Sequence, residues 1–451
     1  MITKIEVNGF KSLVDFKLKL KSGVNILVGP NGAGKTNIIL FFEFLSHLIN
    51  NQVGNAVSQL GGAGSIFKKI GNEDYQDFIE AKIYGANRIT SKQFLVYEYE
   101  FQINTSFEKD NLFFSRQNIR IRTASKFWDD PDSKLYENEW DVDLSFKSDG
   151  DSKNEVEIIN LDSKKISHRL VYGEKLSDKK IEAAIKSYLK GYNLSYYSIV
   201  HSLFRITEFA RFIRIDLKGG ETFNIIPSKV KELEDSAAPP EIKKDGSGLS
   251  TTLYAMKKGK PRVERRVNQL YLFSEDQRMS FNPKTLERII SFLRLANSTI
   301  KHLNVENDPF SNKLVIKISI SSGGYDAVLP LSSMSDGTIK WLTLITAILT
   351  SKTIFSIEEP ENFLHPWMQA EIVNIMREHL SEKKLYSFVL MTTHSESLLN
   401  YAKPEELIIV NLENGRTIAN RISNVKSVKK EISATGFGLG HFYFSNSLTN
   451  E

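Results

Sequence analysis

Hydrophobic and polar positions change rhythm several times along this chain, and the order of those rhythms predicts an α/β molecule. The apolar run Val24-Asn-Ile-Leu-Val28 reads as a short buried strand. Asn37-Ile-Ile-Leu-Phe-Phe-Glu-Phe-Leu45 follows it and reads as a buried helix. Between residues 85 and 125 apolar and polar positions alternate, as in Phe94-Leu-Val-Tyr-Glu-Tyr-Glu-Phe-Gln-Ile103 and Asn118-Ile-Arg-Ile-Arg122, which predicts antiparallel strands. Residues 126–165 are charged and polar, with turn signals at Asp129-Asp-Pro-Asp132 and Lys147-Ser-Asp-Gly-Asp151. Helical spacing then dominates residues 170–300, clearest over Lys179–Leu189 and Asn282–Leu293. Residues 302–330 return to strands. The apolar helix Ile339–Leu349 and two buried strands, Ile354–Ile357 and Tyr386–Thr392, close the pattern. Gly61-Gly-Ala-Gly64 marks a turn. The expected organisation is a mixed sheet flanked by helices, built from residues 1–165 and 301–451, with a mainly helical insertion over 166–300. No heptad array runs through the middle, so the insertion is expected to be a compact lobe and not a coiled-coil arm.

The strongest chemical signal sits between the first strand and its helix. Gly29-Pro-Asn31-Gly32-Ala33-Gly34-Lys35-Thr36 fits the phosphate-loop pattern G-x-x-x-x-G-K-[ST] in full. Glycines let backbone N–H groups turn onto phosphates with no Cβ in the way. Lys35 supplies a point charge to the β- and γ-phosphates, and Thr36 a hydroxyl to Mg²⁺. Asn37 opens the helix whose positive end faces the phosphates. ATP and Mg²⁺ are the expected cofactors.

Three further motifs stand about 300 residues later. Ile354-Phe-Ser-Ile-Glu358-Glu359-Pro-Glu-Asn362 ends a strand in two adjacent carboxylates. Neighbouring strand side chains point to opposite faces, so Glu358 can face a metal while Glu359 faces an attacking water as general base. A solvated acidic loop opening a helix is the plainer alternative. Tyr386–Thr392 runs into Thr393-His394-Ser395, where His394 can hold the γ-phosphate and the water; a surface histidine is the plainer alternative. Ser335-Asp336-Gly337-Thr338 precedes the apolar helix and offers either an anion-binding nest or an ordinary helix N-cap.

The order phosphate loop, Ser-Asp-Gly-Thr, Glu-Glu-Pro-Glu-Asn-Phe-Leu-His-Pro, Thr-Thr-His-Ser resembles the SMC/RecF-like ABC ATPases. More narrowly, it is similar to stand-alone ATPases related to the overcoming-lysogenization-defect (OLD) proteins. The opening Ile5–Ser12 and the ending Gly436–Tyr443 look like the first strand and the close of such ATPases. The resemblance implies a P-loop ABC-type head that dimerises over ATP, with Ser335, Asp336 and Gly337 capping the nucleotide of the opposite subunit. Two departures stand out. Glu358 takes a place usually held by Asp, and Met334 one usually held by Leu. Gln93 and Gln117 are weak candidates for the family's glutamine loop. OLD nucleases carry a Toprim domain after the ATPase. The residues after His394 show no Asp-x-Asp pair, so a separate effector, a nuclease or toxin, is the expected partner, with a role in anti-phage defence by family analogy.

Composition adjusts this picture little. The chain has 451 residues, with 41% hydrophobic and 25% charged, as in ordinary globular proteins. Cysteine is absent, which excludes disulfides and thiolate metal sites and suits a reducing, cytoplasmic setting. No stretch approaches a membrane span, so no membrane partner is expected. The net charge of +5 hints at anionic partners. Lys257, Lys258, Lys260, Arg262, Arg265 and Arg266 form one basic run, read either as a DNA or RNA contact or as a solvated helix face. Arg205, Arg211 and Arg214, near Phe209 and Phe212, form a second. The expected activity is that of an ATP-hydrolysing switch, a homodimer or higher even-numbered oligomer, controlling nucleic acid or an effector. A non-catalytic scaffold that stores and releases an effector is the alternative. A transporter ATPase subunit ranks last, because its phosphate loop and signature would stand closer together.

Overall fold

The computed structural model describes residues 1–72, 74–88, 93–106, 111–125, 139–150, 154–162, 178–204, 207–259, 281–351, 354–382 and 386–445. Within these, the chain divides into two compact units. One holds residues 1–221, 383–390 and 406–422; the other holds 222–382, 391–405 and 423–451.

The first unit contains a seven-stranded sheet, entirely antiparallel. Its order is Phe16–Lys19, Ile2–Asn8, Phe78–Arg88, Phe94–Ser106, Asn111–Ala124, Val142–Ser148 and Asn154–Leu161. The predicted alternation over 85–125 is realised here, with Tyr97 opposite Ile121 and both fully buried. Two of its strands, Val142–Ser148 and Asn154–Leu161, come from the segment read as charged turns. Val142, Leu144 and Phe146 alternate inward there, but the pattern spans only seven residues, and the turn signal Ser148-Asp-Gly150 that hid it stands at the end of the first of these strands.

The same unit holds the strand Gly23–Val28, buried from Val24 onward, and the helix Lys35–Leu48 that follows it. That helix starts two residues before the apolar run predicted. Its buried face includes Ile38, Ile39, Phe41, Phe42, Phe44 and Leu45, packed edge-on by Phe10 and Phe388. Leu407–Glu413 lies parallel to Gly23–Val28, with Leu407 opposite Ile26. It then folds back antiparallel as Arg416–Arg421. The two-residue connection is Asn414-Gly415, both with positive φ (51° and 72°), the turn that matches the twist of paired strands.

The second unit combines an antiparallel sheet with helices. Lys313–Ser322 lies beside Ile300–Asp308 and also pairs with Tyr325–Pro330 and the short Glu234–Asp235. The helix Asp336–Thr350 is buried almost throughout. Its Trp341 is fully covered and donates its ring N–H to the Phe292 carbonyl on the helix Pro283–Ala296 (2.9 Å). The strand Ile354–Glu358 is buried over its first four residues. Gly438 and Gly440, in the closing glycine motif, sit where a Cβ would meet Asn400 Oδ1 at 2.2 Å and the Glu396 carbonyl at 2.5 Å. These contacts seat the helix Leu439–Phe444 directly on Glu396–Asn400.

The segment 166–300, expected to be helical, is divided between the units. Asp178–Lys190, Ile199–Leu203 and Glu208–Lys218 are helices of the first, while Leu249–Lys258 and Pro283–Ala296 belong to the second. Short strands at Glu221–Phe223 and Glu234–Asp235 interrupt the helices. Among the described residues no helix is long and apolar enough to cross a membrane.

Candidate functional site: a phosphate loop and a paired-carboxylate turn

The phosphate loop is set by backbone constraints that only glycine meets. Gly32 and Gly34 have φ of +80° and +100°, outside the range most side chains tolerate. A Cβ at Gly34 would meet Thr417 Oγ1 at 2.0 Å, and one at Gly29 would meet the Val410 carbonyl oxygen at 2.0 Å. The hairpin 407–421 thus backs the loop so closely that no side chain fits between. Thr417 donates its hydroxyl to the Ala33 carbonyl (3.0 Å) and shares a 2.6 Å hydrogen bond with Ser12 Oγ. Asn37 donates to Ser12 Oγ in turn (2.7 Å). Ser12 therefore joins the first strand's turn, the loop and the hairpin.

Gly34 is the N-cap of the helix and brings no side chain to cap the first turn. Its leading N–H groups are thereby left for an anion, the arrangement that helix N-termini use for phosphate. Lys35 is buried and curls back, donating to the carbonyls of Gly29 (2.8 Å) and Pro30 (3.0 Å). Thr36, Asn31 and Gly32 are exposed; Ala33 is buried. The glycine cradle, a lysine folded along its rim and an exposed threonine hydroxyl suit a nucleotide's phosphates with Mg²⁺, an ion that keeps waters and phosphate oxygens as most of its ligands.

The second group lies in the other unit. Glu358 closes its strand half-buried. Glu359 follows with φ +43°, a left-handed conformation rare outside glycine and concentrated at functional positions. Its N–H donates to both the carbonyl and the hydroxyl of Thr392 (3.2 Å each), tying it to the end of the strand that leads to His394. Asn362 donates its amide to Glu359 Oε2 (2.9 Å). Phe363 is again left-handed, at φ +67°, and its carbonyl lies where a Cβ on Gly337 would approach to 2.6 Å. The glycine of Ser335-Asp-Gly-Thr is thus required by the turn after the paired carboxylates.

His394 is exposed. Its backbone N–H donates to Glu361 Oε1 (2.7 Å), which also accepts from Thr393 Oγ1 (2.8 Å). Ser335 is an N-cap: its hydroxyl accepts from Thr338 N (3.3 Å), and Asp336 pairs with Lys231 (2.8 Å) on the surface. Both readings of that motif share this geometry, since a capped, exposed N-terminus still presents backbone N–H groups.

Two residues here escaped the sequence reading. Lys340, on the helix begun by Ser335, is only 1% exposed and donates to the Glu359 carbonyl (3.1 Å). Burial pushes its ammonium down to about 8, partly offset by the charges of Glu361 and Glu359. A lysine in an otherwise apolar helix is the signal that could have found it, because lysine is almost never fully buried without a partner. Glu361 was quoted within its motif but given no role.

Gln117, Arg211, Arg214, Lys257 and Lys258 make contacts within the fold. Gln117 is fully buried. It donates to the carbonyls of Leu194 and Tyr197 (2.8 and 3.0 Å) and accepts from Ile199 N and Tyr99 Oη (2.7 and 3.0 Å). It braces the first unit's core and is no glutamine-loop residue, since every amide position is already used. Arg214 stacks on Phe204 (4.2 Å to the ring centre) and donates to Asn50, and Arg211 donates to the Phe204 carbonyl. That basic-aromatic cluster is built into the fold. Lys257 donates to Asn304 Oδ1 (2.7 Å) and the Val305 carbonyl (2.9 Å), and Lys258 lies over the Tyr254 ring. Lys260, Arg262, Arg265 and Arg266, like Arg205, lie outside the described residues.

Among proteins of known identity, the chain is similar to the DNA replication and repair protein RecF of Corynebacterium jeikeium, 33% identical over 54 residues. That stretch is 12% of this chain and 13% of the relative. Solved structures with similar chains include an Smc head domain with an extended coiled coil bound to the C-terminal domain of ScpA, from Pyrococcus furiosus (14% identity, 96% of this chain and 99% of that one, TM-score 0.44). Another is the SMC head domain from Thermotoga maritima (13% identity, 94% and 99%, TM-score 0.37). These TM-scores are below 0.5, and membership rests on a family model that matches residues 24–400, taking in the phosphate loop, the Ser-Asp-Gly-Thr motif, the paired carboxylates and His394. The chain belongs to the family described as AAA domain, putative AbiEii toxin, Type IV TA system.

Proposed function

We propose that this protein is an ATP-binding and ATP-hydrolysing molecular switch of the SMC/RecF/OLD-like class that works as a homodimer closing over ATP. The observation that carries the reading is the phosphate loop itself. Gly29 is required by the close approach of the Val410 carbonyl and Gly34 by its left-handed φ and the Thr417 side chain, and the uncapped helix start and the curled Lys35 suit a polyphosphate.

In this mechanism Lys35 leaves the Gly29 and Pro30 carbonyls for the β- and γ-phosphates. Thr36 and Glu358 are the residues that would hold Mg²⁺, which would neutralise charge on the phosphates. Glu359, held by Thr392 and Asn362, orients a water and takes its proton, and His394 steadies the same water or the γ-phosphate. Ser335, Asp336 and Gly337 present backbone N–H groups to the nucleotide of the opposite subunit. Closure then gates a separate effector or a nucleic acid.

The test is native mass and ATP turnover for the wild type and Glu359→Gln, with and without ATP and duplex DNA. Loss of turnover together with a longer-lived ATP-dependent dimer supports the switch. Normal turnover in Glu359→Gln removes the assigned role of the paired carboxylates.

A second reading draws on the family's own description, which names a putative toxin of a toxin–antitoxin system. Here the chain is one half of an effector pair and ATP controls storage and release of the other half. Co-purification with a protein partner that resists nuclease favours this reading; DNA-stimulated turnover favours a nucleic-acid target.

A further inference from the structure

The turn after Glu359 is held in a conformation that its own sequence does not favour. A left-handed Glu359 and a left-handed Phe363 stand four residues apart, a conformation that side chains other than glycine's adopt only where the surroundings impose it. Three residues hold Glu359. Its N–H is taken by Thr392, its carboxylate by Asn362, and its carbonyl by both the Asn362 N–H and the Lys340 ammonium.

Lys340 is the unusual member of the three. It sits one turn beyond Gly337 on the helix started by Ser335, with its ammonium 5.7 Å from the centre of the Phe363 ring. Glu361, in the same turn, clamps Thr393 and the His394 amide with one carboxylate oxygen; its other oxygen is buried and has no hydrogen-bond partner among the described residues. A buried cation and a half-buried carboxylate thus face the same turn, one fastened to Glu359 and the other to His394. Burying a lysine here is unfavourable in itself, and an apolar residue would fill the same space in the helix. The charge is therefore kept for what it holds.

We infer that Lys340 is a positioning residue that couples the Ser335–Thr338 motif to the paired carboxylates. By fastening the Glu359 carbonyl to the motif's own helix, it makes the aim of the Glu359 carboxylate depend on where that helix stands. A nucleotide engaged by Ser335 and Gly337 then sets the hydrolytic turn through this side chain as well as through the Gly337–Phe363 backbone contact. This rests on the reading of Glu359 as the residue that activates water.

The experiment compares wild type, Glu359→Gln, Lys340→Met and Lys340→Arg in ATP turnover, ATP affinity and thermal melting. Methionine keeps the length and removes the donor. The expected result is a fall in kcat of about tenfold or more for Lys340→Met, with ATP affinity within about twofold of wild type, melting no lower than wild type, and kcat partly restored in Lys340→Arg. Wild-type kcat in Lys340→Met, beside an inactive Glu359→Gln, overturns this inference and leaves the ATPase reading standing. A joint loss of melting temperature and ATP affinity in Lys340→Met also overturns it, because it marks a purely structural lysine. If Glu359→Gln itself turns over normally, the underlying reading fails first.

Discussion

Ser12 and Thr417 share a 2.6 Å hydrogen bond across 405 residues of sequence, directly behind Gly34 of the phosphate loop. Thr417 also donates to the loop's Ala33 carbonyl and is 2% exposed. The loop's shape is therefore held from outside its own motif. Thr417→Val keeps the side chain's shape and removes the hydroxyl, leaving a buried carbonyl without that donor. Stability is expected to fall by about 1–3 kcal/mol, with weaker ATP binding, measured by denaturant titration and nucleotide binding.

Gly34→Ala is a harsher version of the same test. The new Cβ meets Thr417 Oγ1 at 2.0 Å, and φ stays at +100°. The backbone strain alone is about 1–2 kcal/mol, and relief of the clash must shift the loop or the hairpin. ATP binding is expected to be lost below the folding transition, and a binding titration at fixed temperature separates this from unfolding.

Gln117 offers a control that moves stability without touching the nucleotide. Gln117→Leu strands the Leu194 and Tyr197 carbonyls and the Ile199 N–H in the core. The expected cost is at least about 2 kcal/mol, with ATP affinity and turnover per folded molecule unchanged. A selective loss of turnover would return Gln117 to the list of site residues.

Alkaline pH should reveal Lys340. Burial lowers its ammonium to about 8, against an ordinary 10.5 in the unfolded chain. Between those values the unfolded state binds more protons than the folded state, so stability from this group rises with pH over that window. It is fully present above about 10.5 and lost as pH falls through about 8, a swing on the order of 3 kcal/mol. The difference in unfolding free energy between wild type and Lys340→Met, followed from pH 7.5 to 10.5, should shrink accordingly. A difference that does not change with pH would show that the ammonium is not held down.

Much of the candidate site was readable because its chemistry is local. Gly29–Thr36 is one contiguous glycine-rich turn, and Glu358 and Glu359 are adjacent, the first closing a strand and the second opening a turn. Lys340, Glu361 and Thr417 were not readable in that way. Each acts through partners distant in sequence, such as Thr417 on Ala33, or through a backbone atom, such as Lys340 on the Glu359 carbonyl, and backbone atoms leave no trace in residue identity. Gln117 failed for the converse reason: nothing in its neighbourhood announces that residues 194–199 will consume its whole amide. Val142–Ser148 and Asn154–Leu161 were missed because short strands with polar residues between them look like loop until a sheet takes them up.

By itself the sequence determined that a buried strand enters a phosphate loop and a helix, that the long alternating stretch pairs antiparallel, and that two carboxylates end a second buried strand. Those outcomes depend on side-chain period and glycine sterics over a few residues. Only the tertiary structure decided that the hairpin turning at Asn414-Gly415 backs the loop, that 166–300 is divided between two compact units, and that Glu359 adopts a left-handed turn pinned by a buried lysine. Those outcomes depend on which distant backbone atoms meet, and that is fixed by packing of the whole chain.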